Sequence, residues 1–337
     1  MPGRSDVRRR LAVSIAAFGT LALAALLLAP LVGSTPIRLG RVFDRSMPFA
    51  DNVDAQIFFV ARLPRVLAAA LVGAALALAG VVFQALLRNP LASPDTLGVS
   101  AGAALGAVLA ITFNADFTLL GVTAVPLASF AGSIGALIIV YGLSAARRRG
   151  TSTLVLLLAG VTLTSLLSAI SAFVRYLADF TETLRTVRWL MGSLDVGAFT
   201  PIAVAIVPMG IAIVGFAMLP RVLDLISMGA ESAAARGVDV TRAERVALVS
   251  ASLATGSAVA LAGPIGFVGI VVPHLVRLLV GADHRVVLPA SALFGASFLI
   301  ACDLIARVAL APTEVPVGVV TALIGGPFFL WLLFRHA

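Results

Sequence analysis

Apolar positions in this chain come in long blocks, not in the one-sided stripes of a soluble helix or strand. Ten apolar runs lie at about 11–33, 64–87, 96–113, 119–145, 151–173, 200–219, 243–262, 266–281, 287–306 and 316–335, with shorter polar stretches between them. Most approach the ~20 residues that cross ~30 Å of hydrocarbon as a helix. In lipid, unbroken runs of this length close their backbone hydrogen bonds within the segment, as helices do. The pattern predicts an all-α polytopic membrane protein with ten transmembrane helices, forming a single transmembrane domain over residues 1–337. The eighth run is short, and Pro273 is expected to interrupt it. The N-terminal RRRLAVSIAAF looks like the start of a signal peptide. Its apolar run extends past 20 residues, so it reads as an uncleaved first span.

Composition agrees. Of 337 residues, 60% are hydrophobic and 12% charged, too little charge to cover a soluble domain of this size. Mean hydropathy is +1.09. The single cysteine, Cys302, lies in an apolar run, which leaves no intrachain disulfide and no cysteine metal cluster. His274 and His284, near the end of the eighth run, have few acidic neighbours in sequence and make a poor metal site. All 24 basic residues are arginine. Without lysine the chain carries no Walker A loop and no Schiff-base chemistry. If ATP drives it, the ATPase is another protein, and ATP and Mg bind there. No nucleophile–base pair or carboxylate dyad stands out, so no catalytic residue is assigned.

The net charge of +8 reads as topology, not as nucleic-acid binding. With the N-terminus inside, 15 of the arginines fall in inner segments, including the triplet at 147–149. Both termini then face the cytoplasm. Two long outer stretches, 34–63 and 174–200, mix both signs of charge and are expected to hold surface helices. The row Gly98, Gly102 and Gly106 has the spacing that lets membrane helices approach closely.

One polar insert is longer than a turn needs to be: MGAESAAARGVDVTRAE, at 228–244, placed in the cytoplasm by the charge pattern. Its Ala content favours a short helix over 229–236. Gly237 suits the left-handed position after a helix, and Thr241–Glu244 has the spacing of a capping box opening the next span. A short helix, a sharp turn and a new helix would let a push on the first move the second. An interfacial helix is the alternative, though the insert lacks the bulky apolar face such helices use.

Other charges lie at the expected outer surface. Arg62 and Arg65 flank Pro64, which fits the first turn of the second span. They are either snorkelling anchors or a recognition site for acidic side chains on an outside partner. Arg307 follows Asp303 by four residues, so the two can pair along one helix. Thr164, Ser168 and Ser171 share a face of the fifth span and could line a path, or bond back to their own backbone.

These residues resemble the FecCD family, the permease subunits of type II ABC importers for ferric siderophores, haem and cobalamin. The resemblance covers nearly the whole chain. It rests on RLPRVLAAALVGAALALAGVVFQALLRNPLASPDTLGVSAGA at 62–103, GAESAAARGVDV at 229–240 and GPIGFVGIVVPHLVRLLVGADHR at 263–285, with CDLIAR at 302–307 and EVPVGVVTALIGGPFFLWLL at 314–333. The resemblance implies ten helices per subunit, a second permease subunit, two separate ATPase subunits, and a substrate-binding protein docking from outside. It implies a bacterial cytoplasmic membrane location, with no cofactor or metal on this chain. Docking would use Arg62, Arg65 and Arg307. ATPase coupling would use Gly229, Ala230, Glu231, Ser232, Ala235, Arg236, Gly237 and Val238. Cys302 departs from the family's usual Ala before the Asp. The expected cargo is a ferric siderophore, with haem or cobalamin as the alternative. A secondary transporter would need an ion-coupling carboxylate deep in a span. Asp303 is the candidate, and it has an arginine four residues on.

Overall fold

A chain in lipid must satisfy its own backbone, and the described residues are helical almost throughout. The computed structural model describes residues 4–145 and 153–336, so the basic triplet at 147–149 lies outside the described residues. In order the helices are α1 Arg4–Leu28, α2 Leu39–Val42, α3 Val53–Gln56, α4 Leu63–Leu86, α5 Val99–Thr112, α6 Ala124–Ala145, α7 Thr153–Leu177 and α8 Phe180–Leu190. They continue as α9 Thr200–Ala217, α10 Pro220–Ser227, α11 Ala230–Ala234, α12 Val240–Ala262, α13 Val268–Val280, α14 His284–Val308 and α15 Val317–His336. A two-residue hairpin, β1 Thr118–Leu119 with β2 Val122–Thr123, joins α5 to α6.

Among the described residues, seven helical stretches are long and apolar enough to cross a membrane: 6–31, 53–86, 124–143, 155–177, 200–217, 240–262 and 284–308. Three shorter apolar helices, α5, α13 and α15, occupy the other expected runs. The two long polar stretches hold α2, α3 and α8, the surface helices expected there. The cap of α8 is a capping box between Asp179 and Glu182.

α4 is the axis of the bundle. Most of its residues are buried, with α12, α13 and α14 packed around it. α1 lies on α14, α9 on α12, and α5 pairs with α6. α7 buries a single stripe, Leu156, Gly160, Leu163, Leu167, Ser171 and Val174, and leaves much of its other surface open.

Glycine makes these approaches possible. A side chain at Gly102 would strike the carbonyl of Gly132, one at Gly132 the carbonyl of Gly102, and one at Gly106 the carbonyl of Ala128. Two members of the expected glycine row therefore seal the α5–α6 crossing. Gly98 does something else: it precedes α5 with φ 78° and faces Gly160 and Thr164 of α7.

Two prolines behave differently from the sequence expectation. Pro64 lies in the first turn of α4, as expected, but no break precedes that turn: helical structure runs unbroken from Val53 to Leu86. A π-helical segment, Ile57–Arg62, precedes it. The wider turn leaves room for a proline ring that would otherwise meet the carbonyl four residues back. Pro273 does not interrupt α13 either. Its missing N–H frees the carbonyl of Gly269, and the buried Gln84 side chain donates to that carbonyl at 3.1 Å. Arg277 in turn donates to the Gln84 side-chain oxygen. One amide from α4 thus repairs the break that proline leaves in α13.

Replacing Gly132 with Val should separate α5 from α6 and cost about 1–3 kcal/mol of stability. Thermal unfolding of the purified chain in detergent measures it. An unchanged midpoint would show that the crossing has slack.

Candidate functional site

Two places depart from an apolar bundle, one at each end of α14. The first is a buried charge cluster. Arg62, Arg65 and Arg307 are each under a tenth exposed, and Asp303 is fully buried. Arg65 Nε donates to Asp303 Oδ1 at 2.8 Å, and its Nη1 donates to Glu314 Oε2 at 2.6 Å. Arg307 Nε lies 3.0 Å from Asp303 Oδ2 as a charge contact. Its other nitrogens donate to the carbonyls of Val32 and Ala29. Arg62 donates to the carbonyls of Pro30, Leu31 and Thr35. Its guanidinium fills the space where Gly33 would carry a side chain.

Arg62 and Arg307 thus cap the chain where it leaves α1, on carbonyls between Ala29 and Thr35. The last carbonyls of a helix have no partner within it, and cations there also meet the negative end of its dipole. The expectation of exposed recognition residues is corrected in that respect: all three guanidiniums are engaged within the chain. The cluster reaches the surface through Glu314, whose side chain is 47% exposed. Three arginines meet two carboxylates, leaving one positive charge in excess.

The second place is the turn at 228–244. Helix α10 ends, Gly229 turns the chain with φ 126°, α11 follows, and Gly237 turns it again with φ 82°. The N–H of Val238 donates to the carbonyl of Ala233 at 3.1 Å, closing the turn as a helix C-terminal cap does. Ala233 is fully buried with Ile226 and Ala243, in a small core of its own apart from the main bundle. Glu231, Ser232, Ala235, Arg236 and Gly237 are exposed, while Gly229, Ala230 and Val238 are partly buried. The capping expectation is corrected here: Asp239, not Thr241, caps α12, accepting from the Arg242 N–H at 3.0 Å.

Asp224 of α10 ties this turn to the bundle. One of its oxygens accepts from the His284 N–H at 3.0 Å and lies 2.6 Å from His284 Nδ1. Beside it, Asp283 caps α14, and the hydrogen bond from the Arg285 side chain holds its carboxyl below the usual carboxylate range.

The FecCD transport family matches residues 21–335. The chain belongs to the FecCD transport family. It is 46% identical over 275 residues to the cobalamin import system permease protein BtuC of Halobacterium salinarum, covering 81% of this chain and 72% of that protein. It is 42% identical over 281 residues to the hemin transport system permease protein HmuU of Yersinia pestis, covering 82% of each. A solved structure of a metal-chelate type ABC transporter in an inward-facing conformation superposes with a TM-score of 0.81 at 34% identity, covering 95% of this chain and 98% of that one. This FecCD protein is an ABC importer permease subunit for a metal-chelate cargo. It is not itself an enzyme, and ATP hydrolysis resides in separate subunits.

The residues expected to line a path in this permease do not form one surface. Thr164 is half-buried toward Gly98, and Ser168 is exposed. Ser171 is buried and donates to its own Leu167 carbonyl at 2.8 Å. A hydroxyl spent four residues back on its own helix offers little to a passing cargo.

Sequence reasoning assigned no role to Glu314, Gln84 or Asp224. Gln84 carried a signal, an amide inside an apolar run. The partners of Glu314 and Asp224 are 249 and 60 residues away in sequence, and no local spacing marks them.

Replacing Asp303 with Asn should leave Arg65 and Arg307 buried with one carboxylate fewer. Breaking a buried pair in this way costs about 3–5 kcal/mol. The folded yield of the variant in membranes, measured by gel filtration, should fall sharply; a wild-type yield would mean that the arginines find water.

Proposed function

We propose that this chain is one of two permease subunits of a type II importer, with ten transmembrane helices and both termini in the cytoplasm of a bacterial cell. A substrate-binding protein delivers cargo to the end bearing Arg65 and Glu314. An ATPase seats against α11 at the other end. Cargo crosses by alternating access as ATPase closure moves the turn. The observation that carries this reading is the turn itself. It is exposed, it stands on its own small core, and Asp224 ties it into α14.

The same geometry separates contact from support. Ala233 holds the turn in place, whereas Glu231 and Arg236 face outward. Reversing both charges, Glu231→Arg with Arg236→Glu, should leave the fold intact and reduce ATPase co-purification about tenfold, the size of a ~1.4 kcal/mol loss. Co-purification at the wild-type level would remove α11 as the contact.

Docking at the other end rests on the excess positive charge. Reversing Arg65 would bury a new carboxylate beside Asp303, and reversing Arg62 would bury one among the carbonyls it now serves, so fold and docking would fail together. Glu314 is the cleaner handle. Glu314→Gln frees one face of Arg65 and should tighten binding of an acidic-surfaced binding protein at low salt, with the gain lost at high salt. Weaker binding at low salt would mean that Glu314, not the arginines, meets the partner.

Cobalamin is the first candidate cargo, because the relative at 46% identity bears that name. Hemin follows from the second relative. The ferric siderophore expected from sequence becomes the third arm of the test. Uptake by the assembled importer in liposomes, with each cargo in turn, decides among them. Uptake driven by an ion gradient without ATP would overturn the importer reading.

A further inference from the structure

Helices α6 and α9 both pack on α12. Between them lies a groove of about 620 Å³, with α12 as its floor. Ser257, Ala260 and Leu261 share one face of α12 and supply that floor. Leu127 and Phe130 of α6 line one wall, and Val204, Val207 and Ile211 of α9 line the other. No charged residue lines the groove. The Ser257 hydroxyl donates to the Leu253 carbonyl of its own helix at 2.6 Å, so it asks nothing of an occupant.

Along α9 the groove runs from Thr200 to Ile211, a helical rise of about 16 Å. That is close to half of ~30 Å of hydrocarbon, the depth of one leaflet. Thr200 begins α9, and Ala262 ends α12 about 33 Å from Val240. The groove therefore starts at the end of the bundle opposite the turn at 228–244 and reaches toward the middle of the membrane.

A second cavity, of about 530 Å³, opens at that same end. It shares Val122, Pro126, Pro201, Ala260 and Leu261 with the groove, so the two spaces are continuous. Its lining differs in kind. Arg185, Arg188 and Trp189 of α8 line it, together with Asp195. The two arginines are exposed and lie three residues apart, on one side of α8. Arg185 makes one long hydrogen bond, to Asn114 Oδ1 at 3.5 Å. The Arg188 guanidinium makes no hydrogen bond or ion pair among the described residues. Tryptophan beside them suits the membrane–water interface. An arginine that only anchors a helix end needs no slot beneath it. Here two of them stand over an apolar slot one leaflet deep.

We propose that the two spaces together bind one phospholipid with a net negative headgroup. An acyl chain lies between α6 and α9, and the phosphate oxygens accept from Arg185 and Arg188. Two arginines and one aspartate leave a single positive charge in the mouth, which matches a headgroup with a single negative charge. Asp195, an acceptor only, takes a headgroup hydroxyl and repels a second anion. Phosphatidylglycerol has both features. Such a lipid ties α8, which spans nothing, to the helices beneath it.

Lipid retention tests the site. The full chain is reconstituted in vesicles of equal parts phosphatidylglycerol and phosphatidylethanolamine, extracted in mild detergent, and its retained lipids are counted by native mass spectrometry. Phosphatidylglycerol should be retained over phosphatidylethanolamine by about tenfold. Arg185→Gln with Arg188→Gln should remove that preference. Ala203→Trp, at an exposed position in the groove, should lower retention of phosphatidylglycerol without changing any charge. Val207→Trp fills the same groove if Ala203→Trp does not fold. A control pair, Arg38→Gln with Arg41→Gln, removes two exposed arginines that line neither cavity and should change nothing. Equal or greater retention of phosphatidylethanolamine would overturn the proposal. So would a control pair that loses as much as the Arg185 and Arg188 pair, since the effect would then be bulk charge. An unchanged result with the groove filled would reduce the site to a surface phosphate contact and overturn it as well.

Discussion

Every backbone N–H and carbonyl in hydrocarbon must find a partner within the protein, and the rest of this structure follows from that demand. Regular helix meets it for most of the chain. The departures from regular helix are the informative places, because each needs a replacement partner. Where Pro273 frees a carbonyl in α13, Gln84 reaches across from α4 to take it. Where α1 ends, Arg62 and Arg307 cover its last carbonyls. Where residues 263–267 leave helix altogether, no side chain among the described residues answers, and part of the segment borders a cavity. The same physical rule thus sorts irregular backbone into repaired and unrepaired cases.

Charge obeys a parallel rule. An arginine deep in a bundle is expensive unless its field is neutralised and its donors are used. The cluster does most of both, dividing two carboxylates and a run of backbone carbonyls among three guanidiniums and leaving one charge in excess. That division explains why these positions look like partner-recognition residues in sequence and yet are engaged in the folded chain. The two roles are compatible only at the edge, where Glu314 is half in solvent and the excess positive charge can be felt from outside.

Much of this was legible in the sequence. Blocks of apolar residues located the helices to within a few positions, because hydrocarbon thickness fixes their length. Gly237 was readable as a left-handed turn, since few other residues tolerate that conformation, and the observed φ agrees. Gly102 and Gly106 were readable as a crossing from their spacing alone. The failures have a common cause. Pro64 was read as a helix start with nothing helical before it, and Pro273 as a break, because local rules treat proline by its missing donor, whereas the compensation comes from a π-helical turn or from another helix. The shared face of Thr164, Ser168 and Ser171 was a correct geometric inference on an ideal helix, but facing one way does not decide what lies opposite. The 263–267 segment was quoted for its resemblance alone. Its depth in the membrane becomes visible only once Gly269 is seen against Gly80.

The two ends of the molecule are joined by two adjacent helices. α4 and α14 pack along their lengths through the mutual approach of Gly73 and Gly295. At one end both pack on α10, where Asp224 holds His284. At the other, Arg65 of α4 and Asp303 with Arg307 of α14 form the charge cluster. α14 alone spans about 37 Å from His284 to Val308. A displacement of α10 therefore acts on a pair of helices locked by backbone contact along the way, without flexible side chains to absorb it at the glycine crossing. Closely packed interiors transmit strain because they have little room to yield. The buried pairs at both ends are what a motion of this rod would have to break or carry along. For that reason the Asp224–His284 contact, where α10 meets the rod, would on the proposed function be a more direct gauge of coupling than the exposed residues of α11.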